Sequence, residues 1–314
     1  MCIYCAYKNI REVYMEEGLF IRNLTKKIEG FTLSEVSFSV RPGEILGVIG
    51  ENGSGKSTLL NALIGLNKAD CFDEGIYRNS KLGREDIRLG SKAYKERLAF
   101  VRQELMYYPL FVKCEEFADM YGRYYKEFDK KTYVQRLIDY GIDPLKDFAE
   151  LSTGEGVKAQ LALATSYSAK LFIMDEPTGV LDMDFRQEFY DEIRKLVADE
   201  EKIVIMATNL AEELEHFADR ILWLVNTDGV GKVMFFGTID ELMDNYRLVE
   251  AEETLLKEIP ADMVVYKKVS GTHSEALIDM RKGALSTIVA PYARMADMSE
   301  IMYHVIKKQD GEGV

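Results

Sequence analysis

The sequence predicts an α/β fold: a parallel β-sheet covered by helices, followed by a smaller α+β unit. Three observations carry this expectation. Short runs such as Glu44 to Ile49, Leu171 to Met174 and Ile203 to Ala207 are almost wholly apolar, the mark of parallel strands buried on both faces. Segments with helical spacing stand between these runs, and strands alternating with helices build a parallel sheet. A glycine-rich loop separates the first run from a helix, the position at which such sheets bind phosphate.

In chain order, residues 1 to about 30 mix polar and apolar types with no assignable period. From Phe31 the apolar residues Phe31, Leu33, Val36, Phe38 and Val40 recur with polar ones mostly between them, which predicts strands with one solvated face and an antiparallel β portion. Arg41-Pro42-Gly43 is a turn, and Thr58 to Leu66 has helical spacing. From Cys114 to about Glu150 the chain reads as helices whose tyrosines and phenylalanines pack a core. A fourth apolar strand, Ile221 to Val225, leads through Asp228-Gly229 to another near Val233 to Phe236. Around Asp244 the character changes. Strand-like runs at Met263 to Tyr266 and Ser286 to Ala290 and a closing helix at Ser299 to Ile306 make a small accessory domain over 246–314, after a main domain over 1–245.

Composition narrows the function. Of 314 residues 47% are apolar and 30% charged, enough for a packed core, and the net charge of -13 argues against a nucleic-acid partner, which needs a basic face. No apolar run approaches the ~20 residues of a spanning helix, and the start lacks the basic-then-apolar order of a signal peptide; a cytoplasmic protein is expected. Cys2 and Cys5 form a C-x-x-C with no second pair to complete a zinc site, and His216, His273 and His304 are scattered.

The chemistry concentrates in three motifs. Gly50-Glu51-Asn52-Gly53-Ser54-Gly55-Lys56-Ser57 matches G-x-x-x-x-G-K-[ST] between a strand and a helix, with Thr58 opening the helix. Its glycines let backbone N–H groups turn toward phosphate oxygens, Lys56 reaches the β- and γ-phosphates, and the Ser57 hydroxyl can ligate Mg²⁺. Leu171 to Glu176 ends a buried strand in two carboxylates: Asp175 is placed to hold Mg²⁺ and Glu176 to orient an attacking water. Shortly before them lies Leu151-Ser152-Thr153-Gly154-Glu155.

That last pentapeptide resembles the LSGGQ signature of ATP-binding cassette (ABC) proteins. Gln103, after Phe100 and Val101, resembles the Q-loop; Pro177 to Asp182 resembles the D-loop region; Asn209, after Ala207-Thr208, sits where the switch residue belongs. The resemblance covers about residues 20 to 240 and implies a P-loop NTPase cassette with a helical subdomain at about 104–165. It also implies ATP and Mg²⁺ as ligands, Glu176 activating water, and Gln103 sensing Mg²⁺. Two cassettes, a homodimer or two homologues, would work head to tail, with Ser152 and Gly154 of one contacting the γ-phosphate held by the other. The finer likeness is to single-cassette exporter subunits for peptide antibiotics, which pair with a separately encoded transmembrane permease and so sit on the inner face of the membrane. The single phosphate loop and the lack of sustained heptads set aside the two-cassette translation factors and coiled-coil repair proteins of the superfamily.

Four residues depart from the pattern. Asn209 replaces a histidine that hydrogen-bonds the γ-phosphate, and an amide donates but cannot carry charge. Ile28 stands where an aromatic ring stacks on adenine, which shifts that role toward Phe31. Thr153 adds a side chain, and Glu155 a negative charge, beside an anionic ligand unless it points away. Together they imply slow turnover, with a regulatory cassette that binds ATP without hydrolysing it as the alternative.

Overall fold

The computed structural model describes residues 17–78, 86–104, 111–198, 201–270 and 273–309. The Cys2 and Cys5 pair lies outside these residues. The described chain divides into two compact units: one holds residues up to 209 together with 222–234, the other 210–221 together with the chain from 235 onward.

The first unit is built on one curled sheet. Its antiparallel part is the hairpin β1 (Gly18–Ile28) and β2 (Phe31–Val40), extended by β4 (Glu74–Arg78) and β5 (Ile87–Arg88). Its parallel part runs through β3 (Ile45–Ile49), β8 (Ile203–Ala207), β7 (Leu171–Asp175) and β6 (Leu98–Arg102). β9 (Arg220–Thr227) and β10 (Val230–Thr238) join the two parts, in the order β5, β4, β1, β2, β10, β9, β3, β8, β7, β6. All five residues of β3 and of β8 are buried, as expected where both faces of a strand are covered. β2 buries Leu33, Val36, Phe38 and Val40 toward the core, with strict alternation from Val36 onward and a break at the exposed Glu35.

Helix α1 (Lys56–Leu63) follows β3, and a four-residue helix α2 (Lys92–Lys95) precedes β6. Between β6 and β7 stand α3 (Cys114–Tyr121), α4 (Lys130–Asp139) and α5 (Thr153–Ala164). These helices share a core of Cys114, Phe117, Tyr133, Leu137, Ile142, Phe148, Ala159 and Leu163. Phe117 meets Phe148 edge-on at 5.5 Å and stacks with Tyr121 at 4.7 Å, so the recurring aromatics do hold these helices together. Tyr124 and Phe111 are exceptions and face outward. Helix α6 (Met183–Val197), after β7, buries Phe185, Phe189 and Ile193 along one face.

The second unit opens with the short helix α7 (Ala211–Glu215) and continues from the end of β10 through α8 (Ile239–Asp244), β11 (Tyr246–Ala251), α9 (Glu253–Leu256), β12 (Val264–Ser270), β13 (His273–Asp279), β14 (Ala293–Met295) and α10 (Met298–Gln309). The strands form a four-stranded sheet in the order β12, β13, β11, β14. One face buries Val249, Leu256, Met263, Ala276 and Ile278. Glu215 at the end of α7 accepts from the Met298 amide at 3.3 Å, which ties 210–221 to this unit rather than to the sheet they follow. The expected strand at Ser286 to Ala290 is instead a turn, closed by the amides of Val289 and Ala290 donating to Ser286 O, and it buries only Val289 as an anchor. Pro291, next in sequence, has no N–H to continue a ladder.

Candidate functional site

The site begins where β3 ends. Gly50 (φ +150°) has no room for a Cβ, which would run into Leu224 O and Ser54 Oγ. Gly55 (φ +106°) is the N-cap of α1, where a Cβ would stand 2.9 Å from Leu33 and Phe31. A glycine cap supplies no side-chain acceptor, so the first-turn amides of α1 have no cap and open on the loop. The Ser54 hydroxyl is buried without a hydrogen-bond partner among the described residues. Asn226, from β9, steadies the loop by donating to Gly53 O at 3.1 Å.

Lys56 is buried, and its ammonium donates to Gly50 O (2.7 Å), Glu51 O (3.1 Å) and Asn209 Oδ1 (2.6 Å). Burial holds its pKa below the usual lysine value, while the carboxylates of Glu176, Asp175 and Glu51 pull it back up. Asn209 donates from Nδ2 to Glu176 Oε1 (2.5 Å) and to Asn52 Oδ1 (3.2 Å), so its carbonyl faces the cation and its amide the carboxylate. Lys56, Asn209 and Glu176 therefore form one chain of hydrogen bonds across the mouth of the loop.

Asp175 and Glu176 stand at the end of β7, beside Ser57. The Ser57 hydroxyl donates to Asp175 Oδ1 at 3.4 Å. Burial raises the Asp175 pKa, opposed by that hydrogen bond and by Arg102 and Lys56. Glu176 sits at φ +48°, a left-handed conformation that costs a carboxylate side chain of order 1 kcal/mol. Its amide donates to Ala207 O at 2.9 Å, which fixes the turn. Gln103, half-buried, lines one cavity with Ser57, Arg102, Glu104, Asp175 and Glu176. A second cavity is lined by Ile28, Phe31, Asn52, Gly53, Gly55, Lys56, Ser57, Thr58, Glu176 and Asn226. Ile28 and Phe31 thus share the wall beyond the phosphate loop.

The structure brings the loop, Gln103, Asp175, Glu176 and Asn209 together. Ser152 and Gly154 line neither cavity. Ser152 is the N-cap of α5 in a reciprocal box: its hydroxyl accepts from the Glu155 amide (3.2 Å) and Glu155 Oε2 accepts from the Ser152 amide (2.7 Å). Glu155 also pairs with Lys146 at 2.9 Å, and the two interactions hold its carboxyl below the usual range. The anticipated clash with an anion is relieved because this carboxylate turns back onto its own helix. Asn226 and Gln160 escaped the sequence reading, since nothing in their local pattern distinguishes them.

The residues fit a magnesium nucleotide. An uncapped helix terminus, a buried ammonium and an unsatisfied buried hydroxyl suit a polyphosphate. Ser57 Oγ and the Asp175 carboxylate are the hard oxygen donors that Mg²⁺ takes, and a cation there would relieve the buried charge of Asp175.

The sheet, the loop and the two carboxylates at a strand end define a P-loop NTPase. The family model described as ABC transporter matches residues 33–179. The uncharacterised ABC transporter ATP-binding protein YhcH of Bacillus subtilis (strain 168) is 32% identical, over 66% of this chain and 67% of its own. The ABC transporter ATP-binding protein YtrB of the same organism is 30% identical, over 72% and 74%. Among solved structures, the ATP-binding cassette MJ0796, a dimer in a post-hydrolysis state bound to ADP and Pi, superposes with a TM-score of 0.55 at 21% identity, over 70% of this chain and 97% of its own. The chain belongs to the family of ABC transporter ATP-binding proteins, whose cassettes are ATPases.

Proposed function

We propose that this ATP-binding subunit hydrolyses ATP to power a separately encoded transmembrane permease, in the direction of export. The observation that carries the reading is the chain Lys56, Asn209 and Glu176 laid across the mouth of the phosphate loop. Lys56 and the first-turn amides of α1 would hold the β- and γ-phosphates. Glu176, kept in place by its strained turn and by Asn209, would accept the proton of a water attacking the γ-phosphorus. The bond between γ-phosphorus and the β,γ-bridging oxygen breaks, leaving ADP and inorganic phosphate. Ser57, Gln103 and Asp175 would hold Mg²⁺, which would supply charge neutralisation for the phosphate groups. Phe31 and Ile28 would pack on the base. Asn209 donates to developing charge without adding a positive one, which makes turnover slower than with a histidine.

Ser152 and Gly154 line neither of the two cavities at the phosphate loop, which supports their use by a second cassette, either another copy or a homologue. The dimeric state of MJ0796 supports the same arrangement. Beside Gln103, a groove lined by Phe100, Glu104, Phe117, Tyr121, Tyr125 and Tyr167 gives a permease an aromatic surface to dock on. Residues 114–164 and the α+β tail resemble single-cassette exporter subunits, which supports export. No helix among the described residues is long and apolar enough to cross a membrane, so the membrane would be reached through the permease. The accessory unit would support the dimer.

The test is Mg²⁺-dependent ATP hydrolysis by wild type, Lys56→Ala and Glu176→Gln. Wild-type turnover, abolished by Lys56→Ala and lowered by a factor of about 10² or more by Glu176→Gln with ATP still bound, is the expected result. Wild type that binds ATP but turns over no faster than Glu176→Gln, both alone and with a homologous cassette and the permease added, would make the chain a regulatory binder.

A further inference from the structure

Gln160 is a polar side chain in the middle of α5, only 2% exposed, and every bond it makes among the described residues is to backbone. Its Oε1 accepts from the Arg102 amide at 3.1 Å, and its Nε2 donates to Arg102 O at 2.8 Å. Nε2 also donates to Gly156 O one turn earlier, at 3.2 Å, which fixes the side-chain orientation. Arg102 is the last residue of β6, and β6 is the outermost strand of its sheet among the described residues. A two-point pairing with one residue's N–H and C=O is what a neighbouring strand would supply there. The carboxamide stands in for that strand at one position.

Both ends of this clasp lead to the site. On the strand side, Arg102 pairs in register with Asp175, and Gln103 is the next residue. On the helix side, Gln160 lies two turns, about 10 Å, from the N-terminus that carries Ser152 and Gly154. The opposite face of α5 is tied to the segment after Glu176: Lys158 Nζ stands 3.4 Å from Asp182 and 4.0 Å from the Phe185 ring centroid. A Cβ on Gly154 would come within 3.0 Å of Val180 O. Helix α5 is therefore bolted at one side to the end of β6 and at the other to the stretch following β7.

We propose that Gln160 is a positioning residue that locks the helix bearing Ser152 and Gly154 to the Arg102–Gln103 backbone, so that the two halves of the hydrolytic arrangement move as one. The inference rests on the function proposed above. Without the clasp the nucleotide still finds the loop and Lys56, but Gln103 and the α5 terminus lose their fixed spacing. Turnover then falls while ATP affinity is kept.

The experiment compares wild type with Gln160→Met, which keeps the volume and loses both bonds, and Gln160→Glu. It reads ATP affinity, Mg²⁺-dependent kcat and amide hydrogen exchange at Arg102 without nucleotide. In Gln160→Met, exchange at Arg102 rises about ten-fold or more, kcat falls about ten-fold, and the ATP Kd stays within about three-fold. Gln160→Glu behaves like Met at alkaline pH, where its carboxyl is ionised, and recovers toward wild type as the pH is lowered, because a protonated carboxyl again donates to Arg102 O while its other oxygen accepts. Recovery of the Glu variant alone separates positioning from simple loss of fold. Unchanged Arg102 exchange, or a kcat within two-fold of wild type in a folded Met variant, overturns the proposal. Failure of the hydrolytic reading shows differently, as absent turnover in wild type; exchange at Arg102 then decides the clasp by itself, faster exchange in the Met variant supporting it and equal exchange refuting it.

Discussion

Asn209 has the carbonyl side of its amide on a buried ammonium and the NH₂ side on the carboxylate that would handle the attacking water. A histidine in the same place would offer one donor and one acceptor when neutral, or two donors and a charge when protonated. The amide offers the neutral arrangement at every pH. Wild-type turnover should therefore lack an ionisation near pH 6.5 attributable to this position, and Asn209→His should add one, with higher kcat on its acid side. Asn209→Ala removes the donor altogether and should lower kcat by about 10- to 100-fold with ATP affinity changed far less. Rate profiles over pH 5.5 to 8 for the three proteins check both statements. Equal rates for wild type and Asn209→Ala would show that this link between Lys56 and Glu176 has no part in turnover.

At the scale of elements, what the sequence revealed tracks how local the determining physics is. The phosphate loop, β3, β7 and β8 were legible because a run of apolar residues has one cheap fate in an α/β protein, burial on both faces, and because the loop's glycines sit where a strand turns into a helix. Glu155 was legible as a residue but not in direction. Whether it faces a ligand or its own helix depends on Lys146, nine positions back across a turn, and on the reciprocal cap with Ser152. The turn at Ser286 to Ala290 was misread because Ile288, Val289 and Ala290 are apolar in a row, yet only Val289 finds the core. Gln160 and Asn226 were invisible because their partners are backbone groups 58 and 173 positions away. The accessory sheet offers its own test. His304, on α10, is buried against Tyr266 and Tyr303; its Nε2 stands 3.0 Å from Glu275 Oε1, with Glu300 and Lys268 also near. Burial, the dominant influence, holds its pKa below the ordinary imidazole value of 6.5 despite the two carboxylates. The unfolded chain then takes up this proton first, so stability is lost as the pH falls through about 6.5 toward the lower folded pKa, by at most about 1.4 kcal/mol per pH unit. Melting curves between pH 7.5 and 5 should show that slope in wild type and a shallower one in His304→Gln.

For the molecule as a whole, the decisive question is whether one chain holds a complete site. All the loop residues, both carboxylates and Asn209 gather on one chain, but Ser152 and Gly154 do not join them. A head-to-tail pair brings the two sets together twice, and such an arrangement makes a complementation test possible. Lys56→Ala removes the ammonium from the phosphate loop and leaves the α5 terminus intact. Gly154→Asp does the reverse, placing a charge where, on the proposed reading, an anion would approach, and crowding Val180 O. Each variant alone should be inactive. In a mixed dimer one site combines both defects, whereas the other joins the intact loop of the Gly154→Asp chain to the intact terminus of the Lys56→Ala chain. With half of the dimers mixed and one good site in each, equimolar mixing should restore up to roughly a quarter of wild-type turnover. The recovered activity should also rise more steeply than linearly with total protein at concentrations where dimers are sparse. If each chain worked by itself, mixing would restore nothing, and wild-type specific activity would be flat on dilution. A partner cassette of different sequence would give a third pattern: wild type inactive at every concentration alone, with turnover appearing only when that homologue is added.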